Sequence, residues 1–167
     1  MIAQYLIVDN DQLQQLRDVS DDKRFDVLEN LSQTADDNKI VDLGKLWDVL
    51  HFALTEQSAT TPVPDNALSE FVVGVETFSD DEDADFIAYS EWSAVAEIVD
   101  ALGQVNFQKR LDKMLMKNLR LQKIFPNGIW NDKKQNLDKE LFTSFKELRE
   151  LYENALDSGC NVVVSIC

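Results

Sequence analysis

Apolar residues recur along the chain with two periods, and each change of period marks a new element. The run Ile2 to Val8, closed by Asp9-Asn10, predicts a strand followed by a turn or helix cap. From Asp9 the pattern D-x-x-Q, with Leu13 and Leu16 behind it, predicts a short capped helix. Ser20 reads as the cap of a second helix that carries Phe25, Leu28 and Leu31 at helical spacing. Between Leu46 and Leu54 only Asp48 and His51 interrupt the apolar residues. A helix apolar nearly all round is a buried one, so this segment is expected at the centre of the fold. The next eleven residues, EQSATTPVPDN, hold two prolines and read as a connector.

Two short apolar runs, FVVGVETF (71–78) and FIAYS (86–90), flank the acidic stretch SDDEDAD and read as strands or buried segments. From Ser90 a helix is predicted with Trp92, Val95, Ala96, Val99 and Leu102 on one stripe and Gly103 just past its end. Another is predicted from about Asn106 to Lys123. The longest runs from about Leu137 to Leu156, with Leu137, Leu141, Phe145, Leu148, Tyr152 and Ala155 on one face and Gly159 after it. The closing run, Asn161 to Cys167, is continuously apolar and reads as an interior strand. Strands near the termini and middle, long helices elsewhere and no internal repeat predict an α+β fold. The expectation is a single compact domain over 1–167, five or six helices packed on a small sheet that includes the N- and C-terminal strands.

Composition narrows the picture. The chain has 167 residues, 44% of them hydrophobic, enough to build a core. With 31 Asp and Glu against 16 Lys and Arg, its formal charge is −15, the sign that nucleic acid and anionic membranes share. Direct nucleic-acid and membrane binding are therefore not expected. The charge is also unevenly placed: residues 1–100 hold 23 acids and 5 bases, and residues 101–167 hold 8 acids and 11 bases. No stretch approaches the ~18 apolar residues of a membrane span, and the N-terminal run has no basic segment before it, unlike a secretory leader. Cys160 and Cys167 stand at opposite ends of a predicted strand, about 23 Å apart at ~3.3 Å per residue, too far to pair. Free thiols suit a reducing, cytoplasmic location.

Candidate chemistry is sparse. His51 is the only histidine, so no site with two or three His ligands can form. Trp47, His51 and Thr55 share one helical face and are the candidate lining of a small-ligand or catalytic pocket, with Asp48 within reach. The stripe Trp47, Leu50, His51, Leu54 has the spacing of a core face, however, and the favoured reading is an imidazole partly buried and hydrogen-bonded there. Asp80, Asp81, Glu82, Asp83 and Asp85 are the candidate partner-binding residues. As a calcium loop beginning at Asp81 they fail, because Phe86 stands where glycine is needed and Trp92 where a bidentate carboxylate is needed. The five glycines are too scattered for a phosphate-binding loop, so neither a cofactor nor a metal is expected, and no catalytic residue is assigned. The segment from Asn106 carries Lys109, Arg110, Lys113, Lys117, Arg120 and Lys123 against Asp112 alone, and it is expected to pair with the protein's own acidic face or that of a second copy.

The segment Lys45 to Thr55 reads W-x-x-L-H-F-x-L-T through Trp47, Leu50, His51, Phe52, Leu54 and Thr55, with Ser58-Ala59 following. Leu68-Ser69 ahead of Gly74 and Ile124-Phe125-Pro126 are further echoes. This pattern, with the length and element order, resembles the YfbM-like family of bacterial proteins, a domain of unknown function. The resemblance implies a compact α+β domain and no particular activity.

The leading expectation is a non-enzymatic acidic binding module that recognises a basic protein, in its most concrete form an immunity or inhibitor protein masking a cationic toxin or nucleic-acid-binding protein. The alternatives are a small-ligand binder or enzyme with a pocket around Trp47, His51 and Thr55, and a housekeeping homodimer.

Overall fold

The computed structural model describes all residues, Met1 to Cys167. A five-stranded, wholly antiparallel sheet lies between two unequal helical layers. Its strands are β1 (Ala3–Val8), β2 (Ile40–Gly44), β3 (Glu76–Thr77), β4 (Phe86–Ser90) and β5 (Asn161–Ile166), in the order β2-β1-β5-β4-β3. The C-terminal strand is central and buried at all six positions, which is why its sequence does not alternate.

One face of the sheet is covered by α1 (Asn10–Asp18) and α2 (Asp21–Thr34), which enclose a core of 8 buried residues including Leu6, Leu13, Leu16, Leu28 and Tyr89. The predicted capping box at the start of α1 is present: Asp9 accepts from the Gln12 amide at 2.8 Å, and the Gln12 side chain accepts from the Asp9 amide at 2.9 Å. Ser20 precedes α2 without capping it; its hydroxyl donates to Asp22 instead.

The other face carries α3 (Trp47–Thr55), α4 (Ala67–Val73), α5 (Trp92–Leu102), α6 (Phe107–Lys113), α7 (Met116–Leu121) and α8 (Lys134–Ser158), around a core of 34 buried residues. The domain thus has eight α-helices rather than five or six, for two local reasons. Phe71, Val72 and Val73 complete α4, whose start is capped by Asn66 and whose end is turned by Gly74, leaving only Glu76–Thr77 of that run in the sheet. The basic segment breaks at Met114-Leu115, where the backbone is extended, and Leu111, Met114 and Leu119 all reach the core. Gly103 ends α5 in right-handed rather than left-handed geometry, whereas Gly159 at the end of α8 is left-handed. Gly74 is needed twice over: its φ is 79°, and a Cβ there would lie 2.9 Å from that of Ala88.

Long-range polar contacts fix the layers to one another. The Tyr5 hydroxyl donates to the Val72 carbonyl at 2.7 Å, tying β1 to α4. Asn161 accepts from the Trp92 amide and donates to Asn10, so the start of β5 holds the starts of α5 and α1. No helix is long and apolar enough to cross a membrane.

Candidate functional site

The central helix α3 buries every residue from Trp47 to Leu54. Its two polar members are satisfied from outside the helix, by the connector that follows it, by α4 and by the segment around Phe125. Asp48, 1% exposed, accepts from the Ser58 hydroxyl at 2.9 Å, the Ala59 amide at 2.7 Å and the Phe125 amide at 2.8 Å. The Trp47 ring stacks on Phe125, with centroids 5.4 Å apart. A single carboxylate therefore fastens the connector after α3 and the Ile124-Phe125-Pro126 segment to the core.

His51 has no exposed surface. Its Nδ1 lies 2.8 Å from the Gln57 carbonyl, which can only accept, so Nδ1 carries the proton. The unprotonated Nε2 then accepts from the Ser69 hydroxyl at 2.7 Å, and that oxygen in turn accepts from the Val63 amide at 3.0 Å. Burial holds the imidazole below its ordinary pKa and favours this neutral form. Thr55 donates back to the His51 carbonyl at 2.8 Å. Chemically this is a serine hydroxyl on a neutral histidine oriented by a carbonyl, but Ser69 is only 1% exposed and its oxygen is engaged with the Val63 amide as well. The arrangement closes the 57–63 loop onto α3 and α4.

The pocket anticipated around Trp47, His51 and Thr55 is not among the five principal clefts, none of which is lined by any of the three; Trp47, 3% exposed, and His51 are packed core, and Thr55 is half-buried at the end of α3. Ser69, the other half of the histidine pair, is invisible to periodicity; only its place in the Leu68-Ser69 echo singled it out.

The acidic loop is positioned differently. Asp80, Asp81, Glu82, Asp83 and Asp85 are all exposed, between β3 and β4. The loop is shaped by its own side chains: Asp81 accepts from the Asp83 amide at 2.9 Å, and Ser79 from the Asp81 amide at 3.1 Å. The Ser79 hydroxyl also donates to Asp21 at 2.5 Å, which docks the loop against the start of α2. Beside it, Arg24 bonds Asp21 and lies 5.2 Å from the Phe78 ring centroid. Hydrogen bonds from Ser79 and then Arg24 hold the Asp21 carboxyl below its ordinary pKa. Asp18, Asp22 and Asp26 are exposed on the same helical layer. Both arginines there are engaged: Arg24 also donates to the Leu16 and Val19 carbonyls, and Arg17 pairs with Glu91 over the Tyr89 ring. No group of three or more His, Cys, Asp or Glu is arranged to hold a metal ion.

The basic residues of α6, α7 and the turn after them do not neutralise this surface. None of Lys109, Arg110, Lys113, Lys117, Arg120 and Lys123 forms an ion pair within the chain. Arg110 instead donates to the Leu54 carbonyl at 2.9 Å, closing the end of α3. Lys109, Arg110 and Lys113 line a cleft of ≈ 570 Å³ together with Glu56 and Asn106. The expected pairing with the protein's own acidic face is therefore absent.

Comparison with known proteins agrees with this architecture. A family model described as a domain of unknown function (DUF1877) matches residues 1–165. Protein YfbM of Escherichia coli strain K12 is 25% identical over 170 residues, covering 99% of this chain and 98% of that protein. A crystal structure titled as a protein of unknown function, YfbM from Escherichia coli, superposes with a TM-score of 0.82 over 100% of both chains at 24% identity, which shows the shared fold. The whole-chain match to the family model establishes that this protein belongs to the DUF1877 family.

Proposed function

We propose that this protein is a non-enzymatic binding module of the cytoplasm whose acidic surface recognises a basic protein, in the manner of an immunity or inhibitor protein. One observation carries the reading: two acidic segments about sixty residues apart in sequence, around Asp18–Asp26 and Asp80–Asp85, meet through the Ser79–Asp21 bond. The two arginines nearest them are committed to internal contacts, so the surface stays strongly negative. Such a surface raises the encounter rate with a cationic partner and rejects polyanions. The unpaired thiols Cys160 and Cys167 support a reducing compartment.

The test is capture of a partner from the native host with the full-length protein, followed by association kinetics with the purified partner. The reading expects a partner of high pI and an association rate that falls by about tenfold or more from low to physiological salt. It also expects Asp81→Lys with Asp83→Lys to slow association further. A neutral or acidic partner whose binding ignores both salt and these substitutions overturns it.

A further inference from the structure

The acidic loop lies at the β3–β4 side of the sheet, but the opposite edge has a feature of its own. Strand β2 is terminal in the strand order and pairs only with β1. Alternate backbone N–H and C=O groups on its outer side consequently have no strand partner, a ready template for another extended chain. Helix α8 runs alongside, and between strand and helix lies an open groove in two consecutive parts. A segment of ≈ 610 Å³ is bounded by Asp42–Gly44 and by Lys139–Ser144, and one of ≈ 380 Å³ by Asp37–Asp42 and by Glu147–Asn154. The strand numbers rise as the helix numbers fall, so the two parts follow one line. At ~3.3 Å per strand residue and ~1.5 Å per helix residue, the groove suits an extended segment of about six residues.

On the α8 side the floor of the groove is apolar, through Val41, Leu43 and Leu151, while Ile40 turns to the α1–α2 core on the opposite face. Its rim is acidic: Asp37, Asp42, Glu140, Glu147 and Glu150 are exposed and none forms an ion pair within the chain, while Lys139 is the one base. An exposed strand edge beside a helix is the geometry by which a peptide is added to a sheet: backbone hydrogen bonds hold it, and alternate side chains are selected by what lies on either side. Here the side chains turned toward α8 would meet Val41, Leu43 and Leu151 beneath and Glu140, Glu147 and Glu150 at the rim, while those turned the other way would lie beside Ile40 and Asp42.

We infer that the β2–α8 groove is a docking site for an extended segment of a partner protein that carries both apolar residues and Lys or Arg, added to the sheet as a sixth strand. The inference takes its partner class from the proposed function but places contact at the edge remote from the acidic loop. Charge complementarity excludes an acidic segment, which would face five carboxylates.

The test uses the isotopically labelled full-length protein and a synthetic decapeptide of alternating Lys and Val. A second peptide of identical side chains carries N-methyl groups on its amides and so keeps its charge but cannot extend a sheet. The first peptide is expected to shift the amide signals of Ile40–Gly44 and of the Glu147–Asn154 face, and the second to bind about tenfold or more weakly. Glu147→Lys with Glu150→Lys should weaken the first peptide by about tenfold, and the gentler Glu147→Gln with Glu150→Gln by less. Asp81→Lys with Asp83→Lys should leave its affinity within about twofold, since β4 and β3 stand three and four strand spacings of ~4.8 Å from β2, more than the ~8–10 Å screening length.

Equal binding of the two peptides overturns the docking site, as does the absence of any shift at Ile40–Gly44 at millimolar peptide. Shifts confined to α2 and residues 80–85 also overturn it while leaving the acidic-surface reading intact. Conversely, peptide binding in the groove alongside a natural partner that ignores the loop substitutions keeps the groove and removes the proposed role of the loop.

Discussion

Asp48 and Asp81 are the same side chain in opposite settings. Asp48 sits in the core with two amides and a hydroxyl directed at it, whereas Asp81 is exposed and accepts one amide of its own loop. Removing Asp48 would leave the buried Ala59 amide and two half-buried donors without their acceptor; neutralising Asp81 would change only a field. The residues most suggestive of chemistry in the sequence, around Trp47 and His51, are therefore those that hold the fold together. The acidic residues, which contribute little to the core, are free to act on something else.

Three variants sharpen that contrast. Asp48→Ala should have the largest effect, costing about 3 kcal/mol or more in urea unfolding, because the Ala59 and Phe125 amides lose their acceptor together. A loss under about 1 kcal/mol would mean that the two loops are held by packing alone. His51→Gln should cost about 2 kcal/mol by breaking the chain from Gln57 through the imidazole to Ser69, with partner binding kept.

The same substitution should flatten part of the pH dependence. The unfolded chain takes up a proton on His51 near its ordinary pKa of 6.5, while the buried imidazole resists protonation until lower pH. The unfolded state thus binds more protons in that window. Stability attributable to His51 is complete above about pH 6.5 and is lost as the pH falls below it. Unfolding measured from about pH 7 to pH 5 should therefore fall less steeply in His51→Gln than in the parent.

The smallest effect is expected from Asp81→Asn with Asp83→Asn, which retains an acceptor for the Asp83 amide and should change stability by less than about 0.5 kcal/mol while slowing association with a cationic partner. A large stability loss here would make the loop a structural element and erase the contrast with Asp48.

Much of this was legible from spacing. The capped α1, the all-round apolar α3, the stripe of α8 and the uninterrupted β5 follow from hydrophobic period and local cap chemistry. The misread segments are those where local preference and tertiary context disagree. Phe71-Val72-Val73 has strand-like composition, yet the Asn66 cap and the Gly74 turn commit it to a helix. The basic segment has one continuous helical period, yet its core contacts require a break at Met114-Leu115. Strand β2, IVDLG, is short and carries no distinguishing signal; its pairing with β1 defines it.

The sequence by itself determined the α+β class, the buried centre at α3 and the sign and segregation of charge, because each depends on neighbours within a turn or two or on simple counts. Only the tertiary structure decided what the charged and polar groups do. It paired His51 with Ser69, fastened Asp48 to residues 10 to 77 positions away and joined the acidic loop to α2. It also left the strand edge of β2 open beside α8. These are contacts between distant segments, and hydrogen-bond partners at such separations leave no periodic trace in the chain.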